Sequence, residues 1–252
     1  TSPFAFTGNK FEFRAVGSGM SLSGANIILN TIVSDALDQV CTKIEEAKKS
    51  GKNLNKAVQK ILQDVIKDHK RIIFNGDNYT EEWVKEAKKR GLPNLKTVPE
   101  ALKVTKDPKV IQLFERQGVL SKTEVASRYD AYMEAYATTI TYEATLSADM
   151  AKTMIIPVAL DYQAGLAETI KSIEGINKTK LTTTRKLLKD VSQLTEDAIK
   201  AVNELESSVA GGSVDKMKSG MKALREIVDS LEGLVPAESW PLPTYAEMLF
   251  IT

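Results

Sequence analysis

Lys10, Glu12 and Arg14 stand two residues apart near the start of the chain, in the run Asn9-Lys-Phe-Glu-Phe-Arg-Ala15. Phe11, Phe13 and Ala15 alternate with them, which is the period of a strand. Residues two apart on a strand point to the same side. One face is therefore apolar, and the other carries an ammonium, a carboxylate and a guanidinium in a row. A carboxylate and a guanidinium so placed can hold a cation and an anion close to each other, as metal-nucleotide chemistry requires. Taken alone, the same three residues also read as a surface ion pair on an edge strand.

The other candidate groups are weaker. His69 is the only histidine, has no Cys or carboxylate cluster beside it, and reads as a helix-end residue. Cys41, the only cysteine, falls on an apolar helix face and is expected to be buried and inert. It excludes an internal disulfide framework and suits a reducing cytoplasm. Gly17-Ser-Gly-Met-Ser-Leu-Ser-Gly24 lacks the Gly-Lys-Ser/Thr ending of a phosphate loop and reads as a strand-to-helix turn. Asn75-Gly-Asp-Asn78 lacks the alternating oxygens and closing Glu of a calcium loop and reads as a turn.

The elements that must position these groups are nearly all helical. A helix is expected from Ala25 to about Lys49 with Ile28, Ile32, Leu37, Val40 and Ile44 inward, closed by Lys48, Lys49 and Gly51. A second runs from about Leu54 to Ile72 with Val58, Ile61, Leu62, Val65 and Ile66 inward. Asn78-Tyr-Thr-Glu81 resembles a capping box for a third, stopped by Gly91 and Pro93. Short helices follow, one around Glu100 opened by Thr97 or by Lys96 just before it, and one opened by Asp107-Pro108. Ser121-Lys-Thr-Glu124 opens the longest helical pattern, to about Ile173, in which apolar residues including Val125, Ile140, Leu146, Met150, Val158 and Ile170 recur at helical spacing, and which Pro157 should kink or break near Thr153. Leu181, Leu188, Thr195, Val202 and Val209 recur every seven residues, with Thr184, Val191, Ala198 and Leu205 beside them. After Gly211-Gly-Ser213, Met217, Met221, Leu224, Val228, Leu231 and Val235 continue the pattern, so an antiparallel helical hairpin is expected, with Leu188, Val202, Met221 and Val228 buried. The aromatic tail from Trp240 to Thr252 should dock on the body or on a neighbouring subunit.

The fold class that follows is mainly α: an N-terminal β-strand, or a short ribbon, left over from a catalytic sheet, then a multi-helix bundle with a long antiparallel hairpin. A lone strand leaves N–H and C=O groups unpaired, so partner strands are expected before Thr1, in a larger enzyme of which this chain is the C-terminal part. Three regions are expected: residues 1–24 as the last strand and turn of a catalytic domain, 25–120 as a helical region, and 121–252 as a bundle with a docked tail. The length of 252 residues allows a sizeable core. With 34 basic and 33 acidic residues the net charge is +1, which argues against a nucleic-acid or membrane-surface partner held by bulk charge. No run is apolar enough to span a membrane, and no signal-peptide pattern opens the chain.

Five blocks resemble one family. Thr1-Ser-Pro-Phe-Ala-Phe-Thr-Gly-Asn-Lys-Phe-Glu-Phe-Arg14 is similar to the last active-site strand of the type III glutamine synthetases. Lys70-Arg-Ile-Ile-Phe-Asn-Gly-Asp-Asn-Tyr79, Arg90-Gly-Leu-Pro-Asn-Leu95, Trp240-Pro-Leu-Pro-Thr-Tyr245 and Glu247-Met-Leu-Phe250 resemble the same family. The resemblance implies an ATP-dependent ligase that joins ammonia to glutamate through γ-glutamyl phosphate. It implies that Glu12 ligates the Mg²⁺ or Mn²⁺ that bridges the nucleotide phosphates. It gives Arg14 a catalytic and substrate-binding place against glutamate and the phosphoryl group, and Lys10 is a candidate nucleotide contact. A cytoplasmic homo-oligomer is implied, a dodecamer of two stacked hexameric rings with active sites between subunits. The nucleotide- and glutamate-binding residues that the family places earlier in the polypeptide are absent from this sequence. The alternative, from a different class, is a non-catalytic all-α interaction or scaffold module acting through the heptad hairpin.

Overall fold

The computed structural model describes residues 21–77, 79–177 and 179–249, together with the backbone of 4–6 and 11–13. It divides into two compact units, Thr1–Met133 and Glu134–Thr252.

The described residues are mainly α, as expected, but the N-terminal strand of a catalytic sheet is not there. Phe4–Phe6 (β1) and Phe11–Phe13 (β2) are three residues each and, among the described residues, pair only with one another, Phe4 opposite Phe13 and Phe6 opposite Phe11. The correction has a simple cause. The inner-edge backbone groups of each strand find partners a few residues away in the same chain. Every other described element is a helix or a turn.

In the first unit, helix α1 (Ser23–Lys49) ends with Lys48 and Lys49 in its last turn, and Gly51 follows at φ 74°. That left-handed position lets Gly51 and Lys52 donate to the carbonyls of Lys48 and Ala47. The inward face of α1 differs from the expected one. Ile28, Ile32 and Leu37 are exposed, and the buried residues are Thr31 and Asp35. Both are polar, and both are satisfied. The Thr31 hydroxyl donates to the Ile27 carbonyl at 2.7 Å. Asp35 accepts from Arg116 Nε and Nη2 at 2.9 and 2.6 Å, from Gln117 at 3.0 Å and from Gln39 at 2.7 Å. The Arg116 guanidinium holds the Asp35 carboxyl below its ordinary range. Cys41, on the solvent side of α1, is exposed rather than buried.

Helix α2 (Leu54–His69) is capped by Asn53, whose side chain accepts from Lys56 N. Only Ala57 is fully buried on it. Val58, Ile61 and Val65 are half-buried, whereas Leu62 and Ile66 lie outward, against expectation. A 3₁₀ turn, Lys70–Ile72, extends it. Helix α3 (Glu81–Lys89) follows a turn, and Gly91 terminates it at φ 70° with Leu92 N donating to Ala87 O. Asn78, the first residue of the expected capping box, lies outside the described residues. Helix α4 (Val98–Leu102) carries a full capping box between Thr97 and Glu100. Helix α5 (Pro108–Arg116) starts on Asp107 with Pro at its first position.

Helix α6 (Lys122–Met150) opens on Ser121 and Glu124, which bond reciprocally. The boundary between the units falls within it. A π-helical turn, Ala151–Ile155, separates α6 from α7 (Ile156–Asn177) at the place where Pro157 was expected to act. In a regular helix Pro157 would lack the N–H for Thr153 O and its ring would press on that carbonyl. The wider turn relieves this: Ile156 N donates five residues back, to Ala151 O.

In the second unit, α8 (Thr182–Ala210) and α9 (Val214–Glu232) form the expected hairpin, turning where Gly212 takes φ 66°. The core joins Val191, Ala198, Val202 and Leu205 of α8 to Met217, Leu224, Val228 and Leu231 of α9. Leu188 and Met221, expected inside, are half-buried. Where α6, the π turn and α7 meet this core, four of the buried residues are alanines, Ala144, Ala148, Ala151 and Ala159, beside Ile155 and Ile156. Alanines let helix backbones approach closely, and the larger Leu146, expected inward, faces out. The tail docks in part. Trp240 and Leu242 pack on this core, while Tyr245 and Leu249 of α10 (Tyr245–Leu249) are exposed.

Candidate functional site

Of the residues singled out for chemistry, Lys10 and Arg14 lie outside the described residues. Glu12 lies in β2 with its backbone opposite Ala5. His69 is the last residue of α2, as its helix-end reading expected. Among the described residues no three His, Cys, Asp or Glu side chains come together to hold a metal ion.

What the described residues do build is a clasp between two of the blocks that carried the family resemblance, 70–79 and 90–95. Arg90 caps the C-terminus of α3. Its Nε donates to Glu86 Oε1 at 2.6 Å, one turn back on the same helix. Its Nη1 donates to two backbone carbonyls of the other block, Ile73 O at 2.8 Å and Arg71 O at 3.2 Å. The guanidinium also lies over the Trp83 ring, 5.7 Å from its centroid. Trp83 in turn stacks on Phe74, centroids 4.4 Å apart and planes inclined by 26°. A cation bonded to Glu86 holds that carboxyl below its ordinary range.

The turn that begins the α3 segment serves the same clasp. The Phe74 ring folds back over Gly76 so closely that a Cβ there would stand 2.7 Å from Cζ of the ring. A side chain at Gly76 would therefore make the Phe74 ring move. Asp77 then steers the chain into α3, its side chain accepting from Tyr79 N at 2.9 Å and its carbonyl from the Thr80 hydroxyl at 2.9 Å. Arg90 was legible from sequence only as part of a helix stop. The Glu86–Arg90 spacing, with Trp83 one face-turn earlier, was the available signal of a side chain turned back on its own helix.

Beside the clasp, the end of α2 and the residues after it form an open groove of about 820 Å³ lined by Ile66, Lys67, Lys70, Arg71, Ile73 and Arg90, among others. Its size is in the range of ligand-binding clefts.

Comparison with known proteins gives this geometry a family. Residues 57–174, from α2 to the end of α7, match the glutamine synthetase C-terminal domain. The whole chain is 36% identical over 269 residues to the type-3 glutamine synthetase of Dictyostelium discoideum, covering 100% of this chain and 36% of that protein. It is 32% identical over 267 residues to the glutamine synthetase of Bacteroides fragilis and 34% over 264 residues to that of Butyrivibrio fibrisolvens, in each case 99% of this chain and 37% of the relative. The chain belongs to the glutamine synthetase family. It corresponds to a C-terminal portion of the type III enzymes. It spans little more than a third of the length of the curated relatives it matches. Among the described residues no helix is long and apolar enough to cross a membrane.

Proposed function

We propose that this chain works as the C-terminal part of a glutamine synthetase, an ATP-dependent ligase that joins ammonia to glutamate through γ-glutamyl phosphate in the cytoplasm. The observation that carries this reading is the end-to-end similarity to proteins named glutamine synthetase, which takes in the Lys10–Arg14 segment as well as the helical domain. In this reading residues 1–24 carry the reacting side chains, and the helical regions 25–120 and 121–252 support them.

Glu12 would hold a Mg²⁺ or Mn²⁺ ion through its carboxylate. When bound, such an ion neutralises charge on the nucleotide phosphates. Arg14 offers its planar fork to the glutamate carboxylate and to the phosphoryl group in transit, where negative charge accumulates. Lys10 contacts the nucleotide as a point charge. The assembly is a homo-oligomer, a dodecamer of two hexameric rings.

The test is glutamine formation by the full-length enzyme with metal titrated. Glu12→Gln keeps the shape of the side chain and removes its charge, so most synthesis should vanish and the residue should require more metal. Arg14→Lys should lower kcat by more than it weakens ATP binding. Wild-type turnover and metal dependence in Glu12→Gln would return these charges to a surface ion pair.

A further inference from the structure

The groove beside the Arg90 clasp has a composition that its place in the fold does not explain. Lys67 lies in the last turn of α2, and Lys70 and Arg71 lie in the 3₁₀ turn that extends it. None of the three has an ion-pair partner among the described residues. Among the described residues that line the groove there is no carboxylate. A helix C-terminus attracts a cation, but its dipole amounts to only about half an elementary charge. Three positive charges exceed that several-fold. Asp64 is committed to Lys60 at 2.8 Å and Glu86 to Arg90, and Asp68, beside Lys67 in α2, offsets at most one of the three charges.

Apolar surface faces the same space. Ile66 and Ile73 both line the groove and are 58% and 47% exposed. Exposed aliphatic side chains ringed by unpaired cations suit a ligand that is apolar at one end and anionic at the other. The wall is rigid. Arg90 is held by Glu86 and by the carbonyls of Arg71 and Ile73, which fixes the backbone that carries both Arg71 and Ile73. A pre-formed wall lowers the ordering cost of binding. The mixture of one guanidinium and two ammonium groups fits phosphate oxygens, which accept from a planar fork and from point charges together.

We propose that this groove binds an organic phosphate, with the phosphate on Lys67, Lys70 and Arg71 and the apolar body on Ile66 and Ile73. The site goes beyond the ligase reading and does not depend on Lys10, Glu12 or Arg14.

Phenyl phosphate is a suitable probe, with inorganic phosphate and citrate as comparisons, titrated calorimetrically into the 252-residue chain at low salt. Phenyl phosphate should bind several-fold more tightly than inorganic phosphate, because only it reaches the two isoleucines, and more tightly than citrate. The combined variant Lys67→Gln, Lys70→Gln, Arg71→Gln should weaken it by about tenfold or more. Lys43→Gln, Lys52→Gln, Lys56→Gln removes as many charges from the α1–α2 end of the same unit and should leave the affinity unchanged. Unaltered helical circular dichroism in both variants shows that the fold is kept, as expected for exposed side chains. No saturable binding of phenyl phosphate, equal losses in the two variants, or citrate binding as tightly as phenyl phosphate would each overturn the proposal. Loss of glutamine synthesis in Glu12→Gln bears on the ligase reading alone.

Discussion

Leu205 is the residue through which the hairpin core can be tested with a number. It has no exposed surface, and Gly220 of α9 faces it so closely that a Cβ there would stand 3.1 Å from Leu205 Cδ1. Leu205→Ala removes a fully buried isobutyl group and leaves a cavity, which costs about 2–5 kcal/mol. A unit of about 120 residues unfolds with an entropy near 0.25 kcal/mol/K, so a loss of about 3 kcal/mol lowers Tm by about 12 °C. Gly220→Ala alone brings two opposing effects. It gains about 1 kcal/mol of helix propensity and presses a methyl group on Leu205. The net should be small or destabilising. In the Leu205→Ala background the pressure is gone, and the same change should stabilise by about 1 kcal/mol. Urea denaturation of the four proteins, followed by circular dichroism, gives the coupling directly. Strict additivity, or a cost of Leu205→Ala below about 1 kcal/mol, would refute the close α8–α9 packing.

Other consequences are open to measurement. Glu174 is held down to about 2 by Arg185 and by the Leu181 N–H, against an ordinary 4.5. A carboxylate depressed on folding contributes stability above its ordinary value and loses it as pH falls toward the folded value. Glu174→Gln should therefore flatten the acid limb of stability between pH 4.5 and 2, and an unchanged limb would count against the pair. Gly76→Ala should push the Phe74 ring off Trp83. In a Trp240→Phe background, where Trp83 is the remaining tryptophan, its emission should shift, and an unmoved spectrum would argue against the stack. Arg116→Met leaves the buried Asp35 with only Gln39 and Gln117, so it should destabilise the first unit more at pH 7 than at pH 3, where the carboxyl can take up a proton. Equal losses at both pH values would remove Asp35 from the explanation.

Local chemistry was the most legible part of the sequence. Ser121-x-x-Glu124, Thr97-x-x-Glu100, Asp107-Pro108 and Gly91 fix helix ends through bonds between residues two to five positions apart, so the run of residues contains the whole interaction. The hairpin seam was legible for the same reason, since Val191, Ala198, Val202 and Leu205 repeat along one face. Inward faces that depend on distant partners were harder to read. Asp35 counts as polar in any periodicity, and only Arg116, far along the chain, makes its burial tolerable. Weighting large apolar residues pointed to Leu146 where alanines make the contact. The isolated-strand argument failed because Phe4–Phe6 supplied the missing partner locally. Lys10, Glu12 and Arg14 rest on spacing and family likeness, and the Arg90 clasp was hidden in what looked like an ordinary helix stop.

The π turn at Ala151–Ile155 amounts to a single residue too many in one long helix. Up to and through it the buried positions run Ala144, Ala148, Ala151, Ile155; after it they restart one step later at Ile156 and continue through Ala159 to Ile170. Removing one residue there would leave both seams facing the same way along a regular helix. It would also return the ring of Pro157 to the carbonyl one turn earlier, the clash that the wider turn avoids. The extra residue and the proline are thus a matched pair. When type III chains are aligned, a one-residue gap at this turn and a replacement of the proline should appear together, and a chain that shows one without the other should be kinked at this point or short of stability.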